Sequence, residues 1–166
     1  MQDVLEEHLC DTQYGFRPFR STSQAIYFTH RLQDIYEQKG TNMIITFLDW
    51  EKAFDKVQHC RLWIALRRLG IHDTFIEVLK DCYTKSSLFV EDEYGTSTAK
   101  LQSAGIRQGC PLSPYLFVLL MSVVDRDVAL NLDTAYQRRN PNKLHVQRIS
   151  YADDRCFDFH QYRGGE

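Results

Sequence analysis

The chain predicts one α+β domain, an antiparallel sheet with helices packed on one face. Three observations carry this reading. Met43 to Leu48 is a short, almost wholly apolar run of strand length that ends on Asp49. Leu144 to Tyr151 is a second strand-like run, with Ile149 and Tyr151 at alternate positions, and it ends just before the adjacent acids Asp153 and Asp154. The segments before and between them place apolar residues at helical spacing. A chain of 166 residues is long enough for one domain with a real core.

Taken in order, residues 1–13 predict a short helix through Val4, Leu5 and Leu9. Gly15 and Pro18 make Gln13 to Thr22 a loop, from which Arg17 and Arg20 project. Ser21 or Ser23 caps the next helix. It runs to about Lys39, with Ala25, Ile26, Phe28, Leu32, Ile35 and Tyr36 on one side, and Gly40 ends it. The composition of Met43–Leu48 predicts a central strand covered on both faces. Gln58 to Leu69 reads as a helix closed by Gly70. Asp73 is expected to cap another, reaching about Lys85, whose core face is Phe75, Ile76, Leu79 and Tyr83.

Leu88–Val90 and Ala99–Leu101 flank Glu93–Thr96 and predict a β-hairpin. The loop from Gly105 to Pro114 leads into a helix from Tyr115 to about Leu130. That helix is apolar nearly all round as far as Val124, and is therefore buried. Residues 133–143, with Arg138, Arg139 and Lys143, read as a polar, basic loop. Arg155 to His160 is expected to return as the hairpin partner of Leu144–Tyr151. Arg163–Glu166 reads as a frayed tail.

Composition excludes several classes. An apolar fraction of 43% with 25% charged residues is that of an ordinary globular protein. A net charge of −2 does not advertise nucleic-acid binding, although an acid cluster can offset local basic patches. The five cysteines are widely spaced with no CxxC, which argues against a disulfide framework or a zinc site and for a reducing, intracellular compartment. The longest apolar run, Leu116 to Met121, falls far short of the ~20 residues that span a bilayer, and no signal peptide is visible.

Two adjacent carboxylates repel, and a site that keeps both ionised usually offers a compensating cation. If the two strand ends are neighbours, Asp49, Asp153 and Asp154 form an oxygen-rich pocket suited to Mg²⁺. The bland alternative is a solvated turn, where most Asp-Asp pairs sit.

Four blocks, in order, resemble reverse transcriptases, most closely those of non-LTR (LINE-type) retrotransposons. Gln13-Tyr14-Gly15-Phe16-Arg17-Pro18-Phe19-Arg20-Ser21-Thr22 resembles a fingers block. Phe47-Leu48-Asp49-Trp50-Glu51-Lys52-Ala53-Phe54-Asp55 resembles motif A of the palm. Gly105 to Pro114 resembles motif B, and Tyr151-Ala152-Asp153-Asp154 motif C. The resemblance implies a polymerase palm-type sheet over 41–160 with part of the fingers over 1–40, and no thumb.

It further implies RNA-directed DNA synthesis with an RNA template, a DNA primer and deoxynucleotides (dNTPs) as partners. Two Mg²⁺ ions, replaceable by Mn²⁺, are the implied cofactors. Asp49, Asp153 and Asp154 are the implied catalytic metal ligands, joined by the backbone carbonyl of Trp50. Phe54 is the implied barrier to a ribose 2′-hydroxyl. Gln108 and Gly109 line the nucleotide, and Arg17 and Arg20 suit template or triphosphate. Asp55 is expected to cap or brace the following helix. Action in the nucleus follows by inference.

The family normally has a small hydroxyl residue after the acid pair, and this chain has Arg155. A guanidinium there would compete with Mg²⁺. The expectation is therefore a weak or inactive fragment, with a non-catalytic remnant or nucleic-acid-binding module as the alternative. An RNA-dependent RNA polymerase is a third reading, opposed by Phe54 and by this version of motif C.

Overall fold

A computed structural model describes residues 6–84, 86–137 and 146–159. In chain order the elements are α1 (Thr22–Gln38), β1 (Ile44–Leu48), α2 (His59–Arg68), α3 (Asp73–Thr84), β2 (Ser87–Leu88), β3 (Glu91–Asp92), β4 (Gly95–Thr96), β5 (Lys100–Leu101), α4 (Ser113–Gln137), β6 (Val146–Tyr151) and β7 (Asp154–Phe159). They fall into two compact units, one of Met1–Glu51 with Phe117–Glu166 and one of Lys52–Leu116. No helix among the described residues is long and apolar enough to cross a membrane.

The first unit is built on a three-stranded antiparallel sheet of order β1-β7-β6. α1 packs against β6. It starts where the sequence says it should. Ser21 is the N-cap, its hydroxyl accepting from the Gln24 amide (3.3 Å) while the Gln24 side chain accepts from the Ser21 amide (2.9 Å). Ala25 and Tyr36 bury against the unit, whereas Ile26 and Phe28, expected on the core side, are exposed. α4 supplies the apolar bulk of the unit through Phe117, Val118, Leu119, Met121 and Val123.

β1 departs from expectation. It pairs with β7 alone and is an edge strand among the described residues. Ile44 is 64% and Phe47 72% exposed. An apolar run reports that a strand is compatible with burial. How many partners it gains depends on the topology, and here β7 takes the interior position.

The second unit holds α2 and α3, which pack through Leu62, Trp63, Ala65 and Leu66 against a face carrying Ile76, Leu79 and Tyr83. Asp73 is the first helical residue and not the cap. The Thr74 amide donates to His72 Nδ1 (3.2 Å), and Asp73 is drawn away to Arg67 (2.8 Å). That hydrogen bond and the Arg67 charge hold the Asp73 carboxyl below its ordinary range. The hairpin is present as two short antiparallel ladders, Ser87–Leu88 with Lys100–Leu101 and Glu91–Asp92 with Gly95–Thr96.

Two further boundaries shift. From residue 7 the expected N-terminal helix is a series of turns, with the Leu9 amide donating to the Glu6 carbonyl (3.2 Å) and Gln13 to Cys10 (3.0 Å). α4 continues to Gln137, into the stretch expected to be loop. Residues 1–5, the basic residues Arg138, Arg139 and Lys143, and the tail lie outside the described residues.

The α2 face gives a direct test. Leu66→Ala removes a fully buried side chain and is expected to cost about 2–5 kcal/mol. Ile64→Ala, on the half-exposed face of the same helix, is expected to stay within about 0.5 kcal/mol. Urea unfolding of the two variants measures both.

Candidate active site

The acid pair sits where β6 turns into β7. Tyr151 pairs with Asp154, so Ala152 and Asp153 are the two loop residues. Ala152 has φ +56° while Asp153 has no positive φ, the sign pattern of a type II′ turn. Such a turn favours glycine at its first position, and a side chain there costs on the order of 1–3 kcal/mol unless the surroundings hold it.

The surroundings do hold it. The Ala152 amide donates to Gln13 Oε1 (3.0 Å), and Gln13 Nε2 donates to the Ala152 carbonyl (3.2 Å). The Gly15 amide donates to the same Oε1 (2.9 Å). Two N–H groups converging on one atom fix it as the amide oxygen. Beside this clamp, the Tyr14 amide donates to the Ser150 carbonyl (2.7 Å) and the Ser150 amide to the Thr12 carbonyl (2.9 Å). Residues 12–14 thus form a short parallel bridge to β6. A Cβ on Gly15 would lie 2.2 Å from the Ala152 nitrogen, so only glycine allows this approach. The only local signal of this role is a polar residue two positions before a glycine.

The β1–β7 register brings the third acid to the same end of the sheet. Leu48 pairs with Arg155, Asp49 follows β1, and Asp154 opens β7. Partial desolvation raises the Asp154 carboxyl above its ordinary range, and the charges of Asp153 and Asp49 raise it further. The three acids are therefore electrostatic neighbours. No three acidic, histidine or cysteine side chains among the described residues are grouped to hold an ion. Trp50 follows with its ring half exposed.

Arg155 does not enter this cluster. It is 4% exposed and pairs through Nη1 with the carboxylate of Asp125 on α4, itself 3% exposed. Burial draws its guanidinium down to about 10, which leaves it charged at neutral pH. Arg148, on β6, donates to the Asp125 carbonyl (2.5 Å). The expected competition with a metal is thus corrected. Strand alternation turns Arg155 to the face away from Asp154, where a buried carboxylate receives it.

In the second unit, the motif A and motif B segments meet each other. The Ile106 amide donates to the Phe54 carbonyl (2.9 Å) and the Gly105 amide to the Val57 carbonyl (2.8 Å). Gln108 Nε2 donates to Asp55 Oδ1 (3.2 Å). Asp55 therefore braces the motif B loop. It does not cap α2, whose N-cap is Gln58. Phe54 is half-buried. Gly109 takes φ +84° with open space where a Cβ would stand.

The two arginines divide. Arg17 is spent within the fold. It pairs with Glu6 and donates through Nη1 to the carbonyls of Cys10 (2.8 Å) and Gln13 (3.2 Å). This corrects its expected projection from the loop, because a guanidinium with buried internal acceptors is not open to a phosphate. Arg20 lies over the Tyr14 ring, 5.1 Å from its centroid, and donates to the Asp11 carbonyl (2.5 Å).

A mixed fold with an acid-tipped hairpin beside a third acid is the arrangement of a nucleic-acid polymerase palm. Solved structures agree at the level of fold. Telomerase from Candida albicans matches with a TM-score of 0.65 over 95% of this chain and 29% of that one, at 14% identity. Telomerase from Candida tropicalis matches at 0.66, covering 95% and 27%, at 14% identity. The family profile for reverse transcriptase (RNA-dependent DNA polymerase) matches residues 1–158, and the chain belongs to that family.

Its relatives are retrotransposon proteins. A Xenopus laevis protein named Transposon TX1 uncharacterized 149 kDa protein is 29% identical over 93% of this chain. The probable RNA-directed DNA polymerase from transposon BS of Drosophila melanogaster is 30% identical over 93%. The chain spans only 12% and 16% of those two proteins.

Two predictions follow from the charges. In metal-free buffer Asp153→Asn is expected to raise Tm slightly at pH 7. The variant removes one of the charges that raise Asp154, whose ionisation costs stability as pH climbs from the ordinary carboxylate range, about pH 4, through its raised value, so the gain should vanish below that range. Thermal melts across pH 3–7 check this. Asp125→Ala leaves Arg155 buried without its partner and is expected to cost about 3–5 kcal/mol, while Asp125→Leu combined with Arg155→Met stays near neutral. Urea unfolding separates the two.

Proposed function

We propose that this chain is the palm-bearing part of an RNA-directed DNA polymerase, with residues 1–40 as part of the fingers and 41–160 as palm. The observation that carries the proposal is the strand register, which sets Asp49, Asp153 and Asp154 at one end of the sheet, where burial first and the neighbouring charges second raise Asp154. Uncompensated carboxylates are the donor chemistry a hard divalent cation relieves. Asp49, Asp153 and Asp154, with the Trp50 carbonyl, are the residues that would hold two Mg²⁺ ions, with Mn²⁺ as substitute. Bound there, the metals supply Lewis-acid activation of a primer 3′-hydroxyl and charge neutralisation of departing pyrophosphate.

The remaining residues bind and select. Phe54 is proposed to stand against the sugar of the incoming dNTP, where a ring face excludes a 2′-hydroxyl. Gln108 offers both donor and acceptor, held in place by Asp55. Gly109 leaves open space at its Cβ position for a close approach. Arg20 is proposed for the RNA template or triphosphate, and Arg17 passes from that role to support of the fingers block. The partners are an RNA template, a DNA primer and dNTPs, and the setting is the nucleus.

The departure of Arg155 from the acids removes the main argument for a disabled remnant. Primer extension on an RNA template tests the reading. Asp153→Asn is expected to reduce extension by ~10³-fold or more, since several kcal/mol of charge stabilisation go with the metal site. Phe54→Val is expected to raise ribonucleotide incorporation by on the order of ten-fold. Metal-independent extension, or extension indifferent to Asp153→Asn, would remove the proposal.

A further inference from the structure

We infer that Gln13 is a positioning residue for the acid pair. Its carboxamide grips the Ala152 peptide at both ends and thereby sets the turn from which Asp153 and Asp154 project. The inference rests on the polymerase reading above and adds a residue 139 positions away in sequence.

The geometry leaves Gln13 little other purpose. It is 1% exposed, and its side chain spends one acceptor on two amides and one donor on a carbonyl. A carboxamide carries donor and acceptor side by side, which lets it bond the N–H and C=O of one residue as a neighbouring strand would. The peptide it grips belongs to the one residue of motif C with positive φ, where alanine stands in place of the favoured glycine. A glycine would make the turn cheap and loose. An alanine held from outside makes it costly and fixed, so the direction in which Asp153 leaves the turn is set by Gln13. Gly15 clears the space for the grip, and Arg17 holds the Gln13 carbonyl from behind (3.2 Å). The first residues of the fingers block are thus a mount for the hairpin tip.

The test is binding of Mn²⁺ alone, followed by electron paramagnetic resonance, on the unmodified chain and on Gln13→Met, which keeps length and bulk and removes the side-chain hydrogen bonds. Gln13→Met is expected to weaken Mn²⁺ binding at least ~10-fold under conditions where its circular dichroism is unchanged. Leu66→Ala serves as a control that lowers stability without altering Mn²⁺ affinity. A folded Gln13→Met that binds Mn²⁺ within two-fold of the unmodified chain would overturn the inference and leave the polymerase reading in place. Mn²⁺ binding to the unmodified chain that is indifferent to Asp153→Asn would instead overturn the polymerase reading itself. Amide hydrogen exchange of the unmodified chain guards against a variant that fails to fold. The Ala152 and Gly15 amides are expected to be protected like strand amides, and exchange as fast as an open turn would sink the inference.

Discussion

The contact on which the site depends is the pair of hydrogen bonds between the Gln13 carboxamide and the Ala152 peptide. A two-residue turn with one acid in it and a second opening the next strand faces two difficulties. Its first residue is strained and its charges repel. Neither difficulty is resolved inside the hairpin. The strain is held from outside by a segment that reaches β6 through backbone bonds at Thr12 and Tyr14 and allows close approach only because Gly15 lacks a side chain. The charge is left unresolved, which is the condition in which a cation is most strongly attracted.

The opposite face of the hairpin solves a different problem. β6 and β7 turn Arg148 and Arg155 toward α4, a helix otherwise rich in buried apolar residues. Asp125 receives both, Arg155 at its carboxylate and Arg148 at its carbonyl. A buried ion pair contributes little net stability over an apolar pair of the same shape, but it is costly to break and admits few alternative registers. A one-residue slip of β7 would carry Arg155 to the face of Asp154 and leave Asp125 buried alone. The pair thereby fixes which side of the hairpin carries uncompensated negative charge.

Within the second unit, the motif A and motif B segments are organised by backbone bonds more than by side chains. Phe54 and Val57 offer carbonyls to Ile106 and Gly105, and Asp55 steadies Gln108. His59 adds a ring nitrogen to the Gly105 carbonyl (2.8 Å) and packs edge-on to Tyr83. Exposed residues such as Gln108 and Gly109 therefore rest on a buried base.

Local signals were legible in the chain itself. A serine at Ser21 or Ser23 announced the start of α1, alternation at Ile149 and Tyr151 announced β6, and the mostly apolar stretch after Pro114 announced the buried helix. The order of the four motif blocks gave the family. The element signals depend on residues within a turn or two of one another, and block order is a property of the chain as written, so the sequence alone contains them. What only the tertiary structure decided involves partners far apart. Gln13 found Ala152, Arg155 turned to Asp125 rather than to its neighbour Asp154, Arg17 closed on Glu6, and among the described residues β1 gained one strand partner where its composition suited two. A side chain's type fixes what it can bond. Strand register and the packing of distant segments fix what it meets, and those are properties of the folded chain as a whole.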